Sequence, residues 1–267
     1  MFQRVHQALM CESPQEKCDL VAALYAEATA QGFHQSDAAL SPVVAVPIPG
    51  RPEKPELIPP RFTKNRPLST QRGRKTLLHA VTHIEFNAIN LALDAAWRFR
   101  DMPDAYYLDW LSVAADEARH FQLLATRMAK LDMHYGDLQA HNGLWDAACK
   151  TDYDVMVRMA LVPRVLEARG LDVTPAMIEK LRDAGDQESV DALEIILREE
   201  VGHVEIGSRW FRYCCEQRGL PMQETFIDLI RNNPTGAIRG PYNHEARKQG
   251  GFTDWELEQL EELFNSQ

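Results

Sequence analysis

Apolar residues recur at helical rather than strand spacing through most of the chain. Val5 and Leu9, then Leu20, Val21, Leu24, Tyr25 and Ala28, predict one or two helices over residues 1–33. From residue 72 onward four long helices are expected, over 73–100, 104–132, 152–169 and 187–217. Leu77, Leu78, Val81, Ile84, Ala88, Leu91 and Ala95 form an apolar stripe on the first of them. Asp101-Met102-Pro103-Asp104 reads as the turn into the second. Gly170 is expected to stop the third, and Thr174-Pro175 to start a short helix ending near Gly185. Gly219-Leu220-Pro221 stops the fourth, and further helices follow near 221–231 and 254–264. Alternation of β-branched residues is nearly absent, so no sheet is expected. Two short turns and one longer connection (134–151) among the long helices predict an all-α, four-helix bundle over 72–218. An N-terminal helical and extended arm (1–71) precedes it, and a helical tail (219–267) follows.

Residues 40–70 break the helical pattern. Pro42, Pro47, Pro49, Pro52, Pro55, Pro59, Pro60 and Pro67 exclude regular helix and predict an extended arm. The arm is basic, with Arg51, Lys54, Arg61, Lys64, Arg66, Arg72, Arg74 and Lys75 against Glu53 and Glu56. That charge suits nucleic acid or an acidic body against which the arm packs. Without aromatic interleaving for base stacking, packing on the body is the better account.

Composition narrows the class. The 267 residues are 45% hydrophobic and 25% charged, the mixture of a folded globular chain. No apolar run is long enough to span a membrane, and no secretory apolar segment follows Met1. The net charge of −10 disfavours a dedicated nucleic-acid binder. Cys11, Cys18, Cys149, Cys214 and Cys215 are odd in number and contain no Cys-x-x-Cys pair. They fit reduced thiols in the cytoplasm better than a zinc, rubredoxin-like or thioredoxin site.

The acidic residues are more informative than the total charge. Leu78, Thr82, Glu85, Ile89 and Ala92 share one face of the first long helix. Val113, Glu117, His120 and Leu124 share a face of the second; Ala160, Arg164 and Glu167 of the third; Ile196, Glu200, His203 and Gly207 of the fourth. Burying a lone carboxylate is costly, so several inward carboxylates call for compensating cations. Glu117-Ala-Arg-His120 and Glu200-Val-Gly-His203 place Glu and His on one face at i, i+3, where both can ligate one ion.

Register strengthens this reading. Glu85 precedes Glu117 by 32 residues, and Glu167 precedes Glu200 by 33. In an antiparallel hairpin, residues equidistant from the turn sit at one height. The midpoints fall at residue 101 and beside Gly185, both in expected turns. One Glu from each of two helices and a Glu-x-x-His from each of the other two is the ligand set of di-iron and di-manganese carboxylate bundles. Glu85, Glu117, His120, Glu167, Glu200 and His203 are therefore the candidate ligands of two metal ions, iron first and manganese as the alternative. Asp116 and Glu199 adjoin the two Glu-x-x-His motifs and are candidates to hold the second ring nitrogen of a ligating His. His79 and His83 are i, i+4 but lie off the Glu85 face, so structural or entrance roles are expected.

These residues resemble the ferritin-like superfamily, and in particular an uncharacterised bacterial family of ferritin-like proteins of unknown function. The resemblance covers most of the chain. It rests on Pro49-Gly50-Arg51-Pro52, Leu78-His79-Ala80-Val81-Thr82-His83-Ile84-Glu85 and Leu91-Ala92-Leu93-Asp94. It continues through Asp116-Glu117-Ala118-Arg119-His120-Phe121, Glu167-Ala168-Arg169-Gly170-Leu171-Asp172, Glu200-Val201-Gly202-His203-Val204 and Pro241-Tyr242-Asn243-His244-Glu245-Ala246-Arg247. The Asp116-Glu117-x-Arg119-His120 pattern is also similar to that of di-iron oxygen-activating enzymes, and the chain's size to the tRNA hydroxylase branch. The resemblance implies an oxidoreductase that activates O2 or peroxide and hydroxylates or oxidises an unidentified organic substrate. An external electron donor is then expected, because no flavin, nicotinamide or iron–sulfur motif occurs. Transfer RNA as a substrate would suit the basic arm, and a homodimer is compatible with the class. The alternatives are a metal-handling ferroxidase or peroxide-detoxifying protein, and a non-enzymatic metal-binding bundle.

Overall fold

A computed structural model of the chain describes residues 1–36, 38–63, 66–233 and 239–265. Lys64 of the basic arm lies outside them. The described residues are all-α, with an isolated parallel bridge between Leu57 and Ala140 and no extended strand. None of their helices is long and apolar enough to cross a membrane. The chain forms two units: Met1–Cys149 with Asp183–Ala192, and Lys150–Arg182 with Leu193–Gln267.

The first unit is built on α1 (Phe2–Met10), α2 (Pro14–Gln31), α3 (Gln71–Arg98), α4 (Asp104–Ala129) and α5 (Gly143–Lys150). Ser13 caps α2 by accepting from the Glu16 N–H, with Pro14 fixing the first turn. Thr70 caps α3 through the Gly73 N–H. Asp101, at φ +63°, turns the chain between α3 and α4. These two helices pack along each other, with α1 against α3 and α2 against α4. The inward face of α3 is the one carrying Leu78, Thr82, Glu85, Ile89 and Ala92, all buried. The broader apolar stripe expected from sequence is only partly inside, since Ile84 is 44% exposed. Helical phase, anchored by the packing of α4, decides which of the two overlapping faces turns in.

The arm lies along this unit and is held by backbone groups, as a proline-rich segment without its own ladder requires. Gly50 N–H donates to Leu9 O (3.0 Å), and a Cβ at Gly50 would meet the Met10 carbonyl carbon at 2.2 Å. Ile58 N–H donates to Ala140 O (2.8 Å), and Ala140 N–H to Glu56 O (3.0 Å). The Trp145 indole donates to Val46 O, and that of Trp97 to Ser41 Oγ. Part of the basic charge is used internally. Arg51 donates to the carbonyls of Pro52 and Pro55, and Arg74 pairs with Asp186 at 3.2 Å.

The second unit contains α6 (Val155–Leu161), a π-helical segment (Val162–Glu167), α7 (Ala168–Asp183), and most of α8 (Gln187–Arg218). It also holds α9 (Met222–Asn232), α10 (His244–Gln249) and α11 (Asp254–Asn265). Asp154 caps α6 through Met156 N–H and pairs with Arg218. Gly219, at φ +63°, ends α8 as expected from sequence.

The expected stop at Gly170 does not occur, and Pro175 lies inside α7 rather than at a helix start. A mid-helix Gly costs only about 1 kcal/mol, whereas Pro175 removes the N–H that would have bonded the Leu171 carbonyl. That carbonyl instead accepts from the Asn243 side chain at 3.2 Å. Buried Leu171, Ile178 and Leu181 on α7 add packing that local propensity does not contain.

Lys17 is fully buried in the first unit, at 0% exposure. Its ammonium donates to Leu9 O at 2.8 Å and to Asn90 Oδ1, over the face of Phe86. Burial lowers its pKa to about 7. Between pH 7 and 10.5 the unfolded chain keeps a proton that the folded chain has shed. This contribution to stability is therefore full above the unfolded value and is lost as pH falls through 7. From pH 7.0 to 8.5, the unfolding free energy of the wild type should rise by about 1.5 kcal/mol relative to Lys17→Met. Urea titrations of both proteins measure it. Parallel curves over that range would mean that Lys17 stays protonated inside the fold.

Candidate metal centre

The α3–α4 hairpin brings Glu85, Glu117 and His120 together. His120 Nδ1 lies 3.2 Å from Glu85 Oε2 and 3.5 Å from Glu117 Oε2. These three ligand atoms are within 4.8 Å of one another, a group able to hold a metal ion. All three residues are buried, with His120 at 0% exposure. The close pairing of Glu85 with His120 matches the height that equal distance from the turn predicts.

Burial alone would lower the His120 pKa, but the Glu117 and Glu85 carboxylates outweigh it and push it up to about 11. In the metal-free chain the imidazolium is thus the local counter-charge to two buried carboxylates. A metal ion taking Nδ1 must displace that proton and supply the positive charge in its place. Two carboxylate groups and one imidazole are a donor set for a hard or borderline divalent ion such as iron or manganese.

The second unit carries the other sequence-predicted ligands. On α8, His203 Nδ1 lies 3.6 Å from Glu200 Oε2, nearly the spacing of His120 and Glu117. His203 is buried, and the Glu200 side chain is 14% exposed. The shared geometry follows from the shared i, i+3 spacing on a regular helix. Glu167 is half-buried and closes the π-helical segment, where Ala168 N–H donates to Pro163 O across five residues. π-Helical turns of this kind recur at functional sites. Sequence spacing placed Ala160, Arg164 and Glu167 on one face. The longer turn changes that phase, and Arg164 instead pairs with Glu256 at 2.8 Å.

The flanking acids sit closer to solvent. Asp116 accepts from Arg119 at 2.6 Å, and Glu199 lies 3.9 Å from Arg198. Both are half-buried. His79 and His83 take structural partners. His79 Nε2 accepts from Gly136 N–H at 3.0 Å. His83 contacts the Tyr135 hydroxyl at 2.8 Å through Nδ1 and the His141 carbonyl at 3.0 Å through Nε2. Burial lowers the His83 pKa to about 4, so the ring is neutral and links α3 to the connection after α4. Tyr135 also packs on Phe86 and Phe121, each next to a candidate ligand in sequence. Sequence spacing alone carried no signal for Tyr135 or His141, because their partners are set by a loop that returns to α3.

A relative from Haemophilus influenzae, described as an uncharacterized protein, is 43% identical over 270 residues, covering 98% of this chain and 94% of its own. No solved structure matches the chain. The family of proteins of unknown function known as DUF455 matches residues 10–258. With Glu85, Glu117, His120, Glu167, Glu200 and His203 all inside that span, this chain belongs to the DUF455 family.

Proposed function

We propose that this protein is a dinuclear-metal oxidoreductase whose two ions, iron or manganese, are held by Glu85, Glu117, His120, Glu167, Glu200 and His203. The observation that carries the reading is the buried group of Glu85, Glu117 and His120, with both carboxylates turned to one imidazole nitrogen. Buried like charges of this kind are expensive to fold and are retained where a cation uses them. The near-equal His–Glu spacing on α4 and α8 and the register of each Glu with its Glu-x-x-His support the six-ligand set. Bound ions supply redox and Lewis-acid chemistry toward O2 or peroxide. The protein's own groups orient the ions: Asp116 and Glu199 hold the far ring nitrogens of the ligating histidines. An external donor supplies electrons to oxidise or hydroxylate an organic substrate.

Elemental analysis of chain purified without chelators tests the centre. About two iron or manganese ions per chain are expected; none, with all six ligands intact, would refute it. Glu117→Ala should lower the count to one or fewer. Rapid H2O2 loss without any reductant would instead assign the site to peroxide detoxification. Asp116→Ala should weaken metal binding by about 10-fold or more, and unchanged affinity in a competition titration would remove Asp116 from the role.

A further inference from the structure

We infer that the C-terminal tail is a positioning brace for Glu167, acting through Arg164 on one side and the Leu171–Asp172 step on the other. The inference rests on the dimetal reading of Glu167. The helix carrying Glu167 is irregular twice. It widens to a π turn over Val162–Glu167 and includes Pro175 further on. Each irregularity forfeits regular hydrogen bonds, so the position of Glu167 is poorly determined by its own helix.

The tail makes contacts that compensate. Arg164, inside the π turn and fully buried, donates from Nη2 to Glu256 Oε1 at 2.8 Å. Its guanidinium lies over Phe226 at 3.9 Å, Phe252 at 4.5 Å and Phe211 at 5.2 Å. Glu256 is itself fixed, since its Oε2 accepts from Thr253 N–H at 2.9 Å while its own N–H donates to Thr253 Oγ1 at 3.2 Å. This capping box orients the carboxylate before Arg164 meets it. Beyond Glu167, Arg247 binds Asp172 with two bonds of 2.8 and 2.7 Å. Asn243 donates from its backbone to Asp172 Oδ1 and from its side chain to the Leu171 carbonyl freed by Pro175. On the α8 side the segment is also tightly limited, because a Cβ at Gly207 would stand 2.4 Å from Pro163 Cβ. Glu167 thus sits between two anchored points three residues before it and four to five after.

A scaffold role would require only that the tail keep the unit folded. A positioning role requires that loosening it change metal affinity while the fold persists. Arg164→Met with Glu256→Gln removes both charges together and keeps a capping-box acceptor, so no lone ion is left inside. Anaerobic Fe(II) titration and amide hydrogen exchange are read on the full-length wild type and on this double variant. The expected result is a melting temperature close to wild type and at least tenfold weaker binding of the second Fe(II). Amide exchange over 162–168 should be at least tenfold faster, with α3 and α4 unchanged. Where the double variant does not fold, Asn243→Ser decides the same question. It keeps an N-cap acceptor but withdraws the donor from Leu171, and a loss of about threefold in the second Fe(II) affinity is expected. Two ions bound by the variants with wild-type affinity would overturn the brace alone. A wild type that takes up no Fe(II) would overturn the dimetal reading, and the role given to Glu167 with it.

Discussion

Two carboxylates buried beside one imidazole are the constraint from which the rest of the site follows. Glu85 and Glu117 lie within 3.5 Å of His120 Nδ1, with almost no solvent to screen them. A buried carboxylate without a cation costs several kcal/mol, more than any one packing contact of these helices returns. The protonated His120 meets part of that cost in the metal-free chain. A divalent ion held there would add the positive charge that the carboxylates call for. Metal affinity would then be part of the stability of the α3–α4 hairpin.

The α3–α4 group was readable from sequence for a geometric reason. A hairpin of two regular helices has a fixed rise per residue, so distance from the Asp101 turn sets height and periodicity sets face. Glu85, Glu117 and His120 needed nothing further. The same arithmetic is less secure for Glu167, because it assumes a regular helix. The π turn over Val162–Glu167 changes the phase between Arg164 and Glu167 and sends Arg164 to Glu256. The continuity of α7 through Pro175 was hidden for a related reason. Asn243, which takes up the freed Leu171 carbonyl, is 72 residues away in sequence. No local window contains both the defect and its repair.

Buried polar residues outside the site show the same division. The Asp94–Arg98 pair is an i, i+4 contact at 2.7 Å and follows from helix spacing. Lys17, by contrast, is one lysine on a helix until α3 supplies Asn90 and Phe86 around it. The arm is similar. Its prolines predict an extended path, but which of its basic residues remain available depends on where that path runs. Arg74 is matched by Asp186, more than a hundred residues away, and Arg51 bonds the arm's own carbonyls. Counting positive charges along residues 51–75 therefore overstates what the arm offers to an anionic partner.

The chain thus spends its regular and irregular helices differently. Where Glu85 and His120 meet at one height, it uses an uninterrupted hairpin whose register is set by covalent geometry. Glu167 instead closes a widened turn, and contacts from a distant segment flank it on both sides. An Arg in a phenyl cage is suited to that task because its planar fork fixes direction as well as distance, and the aromatic faces limit its other rotamers. Lysine in the same place would supply the charge without the orientation. The tail's polar contacts with the Glu167 helix include both of its irregular points, Arg164 in the π turn and the Leu171 carbonyl opposite Pro175, and extend to Asp172 and Arg169. A segment serving only to cover apolar surface would have no reason to place its buried polar groups there, since each costs desolvation that an apolar contact avoids.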